Sequence, residues 1–240
     1  MVSSYLSQKA MKLVTYNIFV ESPAAGIIAD LSRLIEQEDP DFFCLQEYAP
    51  HHNLRQLFDE TGYNYVEFEY YRNKNKSLSL LIAYKRYESE RHIWSTTLND
   101  YFPGNREGKG ILGMSFKLGD QTVSIINVHL PIWNSIKNKL SIIQQMIKQQ
   151  VPAGSQTIIC GDFNIGNNRS DYLEASMQKL GLRSVSVRGD TYKGGKIKRR
   201  LLGVLQLDWI FTNEEYAQAV DSEIITAAKG SDHYPVIVRF

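Results

Sequence analysis

Thr157-Ile158-Ile159-Cys160-Gly161-Asp162-Phe163-Asn164 reads as a short apolar strand that stops at a glycine and delivers an acid and an amide at its end. The same construction recurs along the chain. Lys12-Leu13-Val14-Thr15-Tyr16-Asn17 ends on an amide, Phe42-Phe43-Cys44-Leu45-Gln46-Glu47 on an amide and an acid, and the run from Gln121 to Asn127-Val128-His129 on an amide and an imidazole. Leu207-Asp208-Trp209-Ile210 puts an acid at the opening of the next-to-last strand. Gly230-Ser231-Asp232-His233-Tyr234-Pro235 puts an acid and an imidazole just before the last one. Strands that gather acids, amides and imidazoles at their ends predict one deep polar site on a β scaffold. Carboxylates with amides suit a hard divalent cation, and histidines beside them suit proton transfer near neutral pH.

Composition narrows the setting. With 240 residues, 43% of them hydrophobic and 22% charged, the chain supports one large core, and a single domain over residues 1–240 is expected. Lys and Arg number 27 against 26 Asp and Glu, which argues against a general polyanion-coating protein. The two cysteines, Cys44 and Cys160, each lie inside an apolar run and read as small buried hydrophobes in a reduced compartment. They are too few for a disulfide framework or a structural zinc site. Met1 to Lys12 shows no apolar signal segment. No run approaches the roughly 18 apolar residues of a membrane span, so the cytoplasm is the expected location.

Between the polar clusters the hydrophobic period alternates. Ile27, Ile28, Leu31, Leu34 and Ile35 form a helical stripe stopped by Asp39-Pro40. A second helix is predicted over 53–61, with Gly62 as its stop. Strands follow at 64–70, 78–85 and 92–96, then a loop from Asn99 to Lys109. Gly119-Asp120 is a two-residue hairpin turn between strands 112–118 and 121–129. Helices at 135–150, with Ser135 as cap, and at 171–180 come next, and strands at 183–187, 206–212 and 235–240 finish the chain. Strands and helices interleave with hairpins, so the class is α+β or mixed α/β.

Taken together, Thr15-Tyr16-Asn17, Gln46-Glu47, Asn127-Val128-His129, Gly161-Asp162-Phe163-Asn164, Leu207-Asp208-Trp209-Ile210 and Ser231-Asp232-His233 resemble the endonuclease/exonuclease/phosphatase superfamily. That group includes DNase I-like nucleases, abasic-site endonucleases, tyrosyl-DNA phosphodiesterases, bacterial sphingomyelinases and inositol-polyphosphate 5-phosphatases. Each motif alone is short, but together they follow the family's order across nearly the whole chain. The resemblance implies a four-layer α/β sandwich, two packed mixed β-sheets flanked by helices, with the site at one edge. It also implies phosphodiester hydrolysis with Mg²⁺ or Mn²⁺.

Roles follow from the same resemblance. Glu47 matches the metal-binding glutamate, Asn17 the outer shell of the metal or a phosphate oxygen, and Asp232 a second metal or a brace. Asp162 would orient or deprotonate the attacking water, and Asn164 would hold that water or the phosphate. His129 would protonate the leaving group or contact the phosphate. His233 would donate to a non-bridging oxygen or act as base, with Asp208 orienting it. Strand side chains alternate faces, so Asn127 and His129 point the same way, and Asn127 is expected to face the substrate. The most direct reading is a nucleic-acid phosphodiesterase. A phosphatase or phospholipid phosphodiesterase with the same groups is the alternative. A phosphate-binding module without turnover would have lost some of these groups, and none is missing.

Two further features bear on the substrate. Arg188, Lys193, Lys196, Lys198, Arg199 and Arg200, set among Gly189, Gly194 and Gly195, form a basic loop just before the Asp208 strand. There Lys196, Lys198, Arg199 and Arg200 are candidates for phosphates flanking the scissile one. Tyr63, Tyr65, Tyr70 and Tyr71 interleave with Arg72, Lys74 and Lys76, a pattern suited to base stacking, although packing in the core or at a sheet edge is the favoured reading. His51, His52 and His92 fall outside the motifs and read as solvated. No protein partner is inferable. One departure stands out: Lys76 to Leu80 offers no acid where DNase I-like enzymes carry a glutamate that partners the first histidine, which leaves the orientation of His129 without an explanation.

Overall fold

The computed structural model describes residues 11–85, 91–98, 108–132, 135–194, 205–217 and 220–240. The strands β1 (Lys12–Asn17) and β2 (Phe42–Tyr48) are buried along almost their whole length, as continuous apolar runs require when both faces of a sheet are covered. Between them α1 (Ala24–Glu38) buries Ile27, Leu31 and Leu34, the stripe its 3.6-residue period dictates. Next come α2 (Leu54–Glu60), β3 (Tyr63–Arg72), β4 (Ser77–Lys85), β5 (Arg91–Leu98), β6 (Lys109–Leu118) and β7 (Gln121–His129). The chain continues through α3 (Ile136–Gln150), β8 (Gln156–Asp162), α4 (Ser170–Gln178), β9 (Leu182–Ser184), β10 (Asp208–Asn213), β11 (Asp221–Ile224) and β12 (Val236–Arg239). Ser135 caps α3 by accepting from the Asn138 N–H at 3.2 Å. Gly119, at φ 60°, turns the β6–β7 hairpin.

The described strands form two six-stranded sheets, ordered β11-β12-β1-β2-β4-β3 and β5-β6-β7-β8-β10-β9. Two pairs are parallel, β1–β2 and β7–β8. Parallel neighbours need a crossover, and α1 and α3 supply them. The period of two then sorts the side chains into layers. Leu13, Cys44 and Ile82 of the first sheet pack against Met114, Ile125, Ile158 and Cys160 of the second. The opposite faces are covered by helices: Val14, Phe43 and Leu45 by Ile27, Leu31 and Phe58, and Ile126, Ile159 and Phe211 by Leu140, Leu173 and Met177. This is the four-layer α/β sandwich. Cys44 and Cys160 are buried free thiols, and among the described residues no helix is long and apolar enough to cross a membrane.

The differences from the sequence reading are local. β11 was not foreseen, because Asp221-Ser222-Glu223-Ile224 carries no apolar run; it is a short charged edge strand, a common way to protect an edge. β9 is three residues long, shorter than the predicted 183–187. His52 is not solvated: it is fully buried, accepts the Ala49 N–H on Nδ1 at 3.1 Å and lies beside His51. Burial, and then the charge of His51, lower its pKa to about 4. Tyr63 and Tyr70 are buried, as the packing reading requires.

Gly161 fixes the β7–β8 pairing where it matters. It faces Val128 in register, one step before His129 meets Asp162. Its φ is +135°, and a Cβ there would lie 2.0 Å from the Val128 carbonyl oxygen. Gly161→Ala should therefore cost about 3 kcal/mol or more, combining overpacking of ~1–3 kcal/mol with backbone strain of ~1–3 kcal/mol. Gly166→Ala, whose added Cβ meets nothing nearer than 3.7 Å, should stay within about 0.5 kcal/mol of the parent. Urea unfolding of the two variants checks the contrast.

Candidate active site

The C-terminal ends of the parallel strands β1, β2, β7 and β8 carry Asn17, Gln46-Glu47, His129 and Asp162. The antiparallel partners contribute their starts. β10 pairs Asp208 with Asp162, and β6 pairs Gly110 with His129, which brings Lys109 to the same edge. The loop before β12 supplies Asp232 and His233. Glu47 reaches the site through a register shift between Leu45 and Tyr48, and it sits at φ 58°. Without that bulge, Gln46 and Glu47 would point to opposite faces.

Hydrogen bonds knit these ends together. The Asn17 amide donates to Asp162 Oδ2 at 3.0 Å, and Asp162 Oδ1 accepts the Asn164 N–H at 2.8 Å. Asp162 Oδ2 also lies 3.7 Å from His129 Nε2 and 4.0 Å from His233 Nε2. Asp208 Oδ2 holds His233 Nδ1 at 2.8 Å. The Asp208 and Leu207 N–H groups in turn donate to Thr191 Oγ1 at 3.0 and 2.9 Å. Glu47 Oε2 accepts the Val20 N–H at 3.2 Å, while Oε1 faces Lys109 Nζ at 3.5 Å and His129 Nε2 at 3.7 Å. The His233 loop is tied down from behind. Ser231 Oγ donates to the Asn17 carbonyl at 2.7 Å, and the buried Asp30 carboxylate accepts the Lys229 and Gly230 N–H groups and the Tyr16 hydroxyl.

Asn17, Glu47, Lys109, His129, Asp162 and His233 line a cavity of about 400 Å³ whose other walls include Phe19, Ile132, Leu205 and Leu207. Residues 14–233 match the Endonuclease/Exonuclease/phosphatase family. The chain belongs to that family. Uncharacterized protein L388 of Acanthamoeba polyphaga mimivirus is 29% identical over 241 residues, spanning 86% of this chain and 88% of its own. Among solved structures, the endonuclease domain of TRAS1, a telomere-specific non-LTR retrotransposon, is similar with a TM-score of 0.67 and 14% identity over 96% of this chain and 98% of its own. A mannosyl-6-phosphatase of Bacteroides thetaiotaomicron is similar with a TM-score of 0.71 and 16% identity over 95% and 98%.

Within this endonuclease/exonuclease/phosphatase scaffold, Asn17, Glu47, His129, Asp162, Asn164, Asp232 and His233 all line the cavity, and Asp208 stands behind His233. Asn164 turns its amide nitrogen to the Leu130 carbonyl at 2.9 Å. The expectation for Asn127 is corrected. It is fully buried, donates to the Leu45 and Leu81 carbonyls at 2.9 and 3.1 Å and accepts from Gln46 at 2.7 Å, so no substrate reaches it. Lys196, Lys198, Arg199 and Arg200 lie outside the described residues. Two other members of that basic stretch have structural partners. Arg188 pairs with Glu174 and lies over the Trp209 ring at 5.1 Å. Lys193 donates to the Ala228 carbonyl at 2.9 Å and to the Ser231 carbonyl.

Lys109 and Tyr70 were not foreseen. Lys109 is buried against Glu47, between Gly108 and Gly110, where added Cβ atoms would come 2.9 Å from the Tyr70 carbonyl oxygen and 3.1 Å from its ring. The flanking glycines were the available signal, since they make room for Tyr70. Tyr70 then supplies the partner that no acid provides: its hydroxyl lies 3.1 Å from His129 Nδ1. His129 Nε2 faces two carboxylates, so that nitrogen carries the proton and Tyr70 donates to Nδ1.

The two histidines are tuned in opposite directions. Burial, Lys109 and His233 hold His129 well below the usual imidazole range. Burial also opposes charge on His233, but Asp208, Asp162 and Asp232 outweigh it and raise the pKa to about 9. Burial, reinforced by Asp208 and offset in part by His233, raises Asp162 to about 6. Burial and Glu47 raise Asp232, against the opposing pull of His233.

For a cation the donors are Glu47, Asp232 and the Asn17 amide oxygen. Among the described residues no three acid, histidine or cysteine side chains are placed to hold one metal ion. This sparse, all-oxygen set fits Mg²⁺, which keeps several waters and takes one or two carboxylates, and does not fit a caged zinc site.

In ¹⁵N NMR of the metal-free protein, His233 should carry protons on both nitrogens at pH 7 and lose one as pH passes about 9. His129 should stay neutral with Nδ1 as acceptor, and Tyr70→Phe should shift that Nδ1 resonance toward an unbonded position. A doubly protonated His129 at neutral pH would overturn this assignment.

Proposed function

We propose that this protein is a divalent-metal-dependent phosphodiesterase acting on nucleic acid. The observation that carries the reading is the convergence of Asp162 with the Asp208-held His233, 4.0 Å apart, at the floor of one cavity. A carboxylate and an imidazolium at that spacing can address two sides of one phosphate. Asp162, positioned by Asn17 and by the Asn164 N–H, orients and deprotonates the attacking water. His233 donates from Nε2 to a non-bridging oxygen, where negative charge builds as the pentacovalent state forms. The P–O bond to the leaving alcohol then breaks, and the departing oxygen is protonated from solvent as Asp162 gives up the proton it took from the water, with Lys109 and the neutral His129 as neighbouring hydrogen-bond donors. Glu47, Asp232 and Asn17 would hold Mg²⁺ or Mn²⁺, whose charge would offset that of the phosphoryl oxygens.

Support for a diester comes from the cavity shape. Its polar end is matched by apolar walls at Phe19, Ile132, Leu205 and Leu207, and about 400 Å³ is room for a nucleoside-sized group beside the phosphate. The likeness to a retrotransposon endonuclease domain supports nucleic acid. The likeness to a mannosyl-6-phosphatase keeps a phosphomonoesterase as the second reading, which turnover of a monoester in preference to a diester would establish.

Glu47→Gln should keep the fold and weaken Mg²⁺ or Mn²⁺ binding, because it removes a full charge from a set otherwise made of one amide and Asp232. Unchanged metal titration and unchanged activity would remove Glu47 from the site.

Asp162→Asn and His233→Ala should each lower kcat on a DNA or bis(p-nitrophenyl) phosphate substrate by at least ~10²-fold. Since both serve one transition state, the double variant should lose far less than the product of the single losses. Fully multiplicative losses would show that the two groups act independently and would require another mechanism.

A further inference from the structure

Two charged side chains near His233 have no task in the reaction proposed above. Asp30 on α1 is buried, and Lys193, ahead of β10, is half-buried. Both act on the loop 228–233, which delivers Asp232 and His233. Asp30 accepts the Lys229 N–H at 3.0 Å and the Gly230 N–H at 2.6 Å. Lys193 Nζ donates to the Ala228 carbonyl at 2.9 Å and to the Ser231 carbonyl. The Ala228 carbonyl and the Lys229 N–H belong to one trans peptide unit, so they point in opposite directions. The carboxylate and the ammonium therefore stand on opposite sides of that unit. Each faces the end of the peptide dipole that it attracts.

The close approach of α1 is built into the backbone. Gly26, one helical turn ahead of Asp30, touches Gly230, where an added Cβ would lie 2.5 Å from the Gly26 carbonyl carbon. Two glycines thus let the helix come near enough for Asp30 to reach the loop amides. Tyr16 and Arg33 donate to the same carboxylate at 2.9 and 3.0 Å, which fixes it in turn. On the other side, the Lys193 N–H donates to the Asp232 carbonyl at 2.7 Å, and the Tyr234 N–H donates to the Thr191 carbonyl at 2.7 Å. The Tyr192 ring packs on His233 with centroids 5.0 Å apart. Ser231 passes the restraint along the loop, since its Oγ accepts the His233 N–H at 3.2 Å. Burial lowers the Lys193 pKa while Asp30 and Asp232 oppose that shift, so the charge of Asp30 reaches Lys193 across the loop.

We propose that Asp30 and Lys193 are positioning residues for the phosphoryl chemistry, an oppositely charged pair that grips the loop between them and sets where His233 and Asp232 stand against Asp162. The inference rests on the phosphodiesterase reading above and deepens it. Both residues act through the loop and not on the reacting atoms. His233 Nε2 lies 4.0 Å from Asp162, and a misplacement of ~1 Å at such a site can cost ~10²-fold in rate. Apolar packing would hold the loop without fixing its direction. Opposite charges at the two ends of one peptide fix the plane of that peptide.

The test measures kcat, KM and amide hydrogen exchange in Asp30→Asn, Lys193→Met, Lys193→Arg and Leu34→Ala. Leu34 is buried in the core on the same helix and serves as the control for lost stability alone. Asp30→Asn and Lys193→Met should each lower kcat on bis(p-nitrophenyl) phosphate by ~10-fold or more, with KM within ~2-fold of the parent. Lys193→Arg should recover most of the rate, because a guanidinium keeps the charge and can serve both carbonyls. Leu34→Ala should keep its kcat below its Tm. A kcat in Asp30→Asn and Lys193→Met no lower than in Leu34→Ala overturns the proposal. A loss confined to KM overturns it too, by making the pair a substrate-binding one. If Asp30→Asn does not fold, the two Lys193 variants decide.

Exchange separates this proposal from the one beneath it. The His233 amide is bonded to Ser231 and to neither charged residue, yet it should lose ~10-fold or more of its protection in Asp30→Asn and Lys193→Met. Protection equal to that in Leu34→Ala would show that the pair does not hold the loop. If the parent turns over no diester, the phosphodiesterase reading fails, and the exchange result still decides whether Asp30 and Lys193 position His233.

Discussion

The two sheets meet at Asn127. Its amide donates to the Leu45 and Leu81 carbonyls of the opposite sheet and accepts from Gln46 at 2.7 Å, in full burial. Those carbonyls belong to Leu45–Leu81, the last regular pair before the β2–β4 register shifts, and a ladder disturbed by a bulge leaves backbone groups that need partners. Asn127 answers that need from across the interface. Everything chemical depends on it, because Gln46 precedes Glu47 and Asn127 stands two residues before His129. One sheet carries Asn17 and Glu47, the other His129, Asp162 and Asp208. A buried amide pair is directional where apolar packing is not, so it sets the distance between the halves of the site, and the Asn17–Asp162 bond at 3.0 Å depends on that distance.

With the halves fixed, the neighbours decide the charges. His233 has a carboxylate on its far nitrogen, and His129 has a phenol on its own. An acid behind an imidazole stabilises the cation, whereas a hydroxyl donating to Nδ1 stabilises the neutral ring. Lys109 pushes His129 the same way. The site therefore holds one imidazolium and one neutral imidazole around a single carboxylate, Asp162. That asymmetry gives each ring a distinct task near neutral pH.

Much of this was legible in the sequence because the motif residues lie at strand ends, where a period of two and the chain order suffice to place them. The helices and most strands follow from that pattern, while the layers and the cavity-lining set around Asp162 and His233 follow from the resemblance that the ordered motifs carry. What escaped depends on pairing between distant segments. Asn127 shares a face with His129, as its spacing requires, but that face looks at the other sheet before it looks at the cavity. Tyr70 reads as one of four edge tyrosines until β3 is laid over β6, where Gly108 and Gly110 leave space for it. Lys109 reads as the end of a loop until Gly110 is paired with His129. His52 looks solvated in a run of polar residues, yet Ala49 needs its nitrogen.

The backbone records what this arrangement costs. Five described non-glycine residues have positive φ: Phe19, Asp39, Glu47, Asn53 and Asn164. Phe19, Glu47 and Asn164 line the catalytic cavity. Left-handed backbone costs roughly 1–2 kcal/mol for an ordinary side chain. Asn tolerates it, but Phe and Glu do not benefit from that exception. Such strain persists only where surrounding structure over-determines the conformation, and the bonds that do so are visible. Asn17 Oδ1 takes the Phe19 N–H at 3.0 Å, Glu47 takes the Val20 N–H, and Lys139, buried on α3, holds the Asn164 carbonyl at 3.0 Å. The groups that restrain the strained residues are thus themselves site residues or sit directly behind them. Strain concentrated on the cavity, and relieved by the cavity's own members, is what a fold shows when the direction of a few side chains is worth more than local backbone comfort.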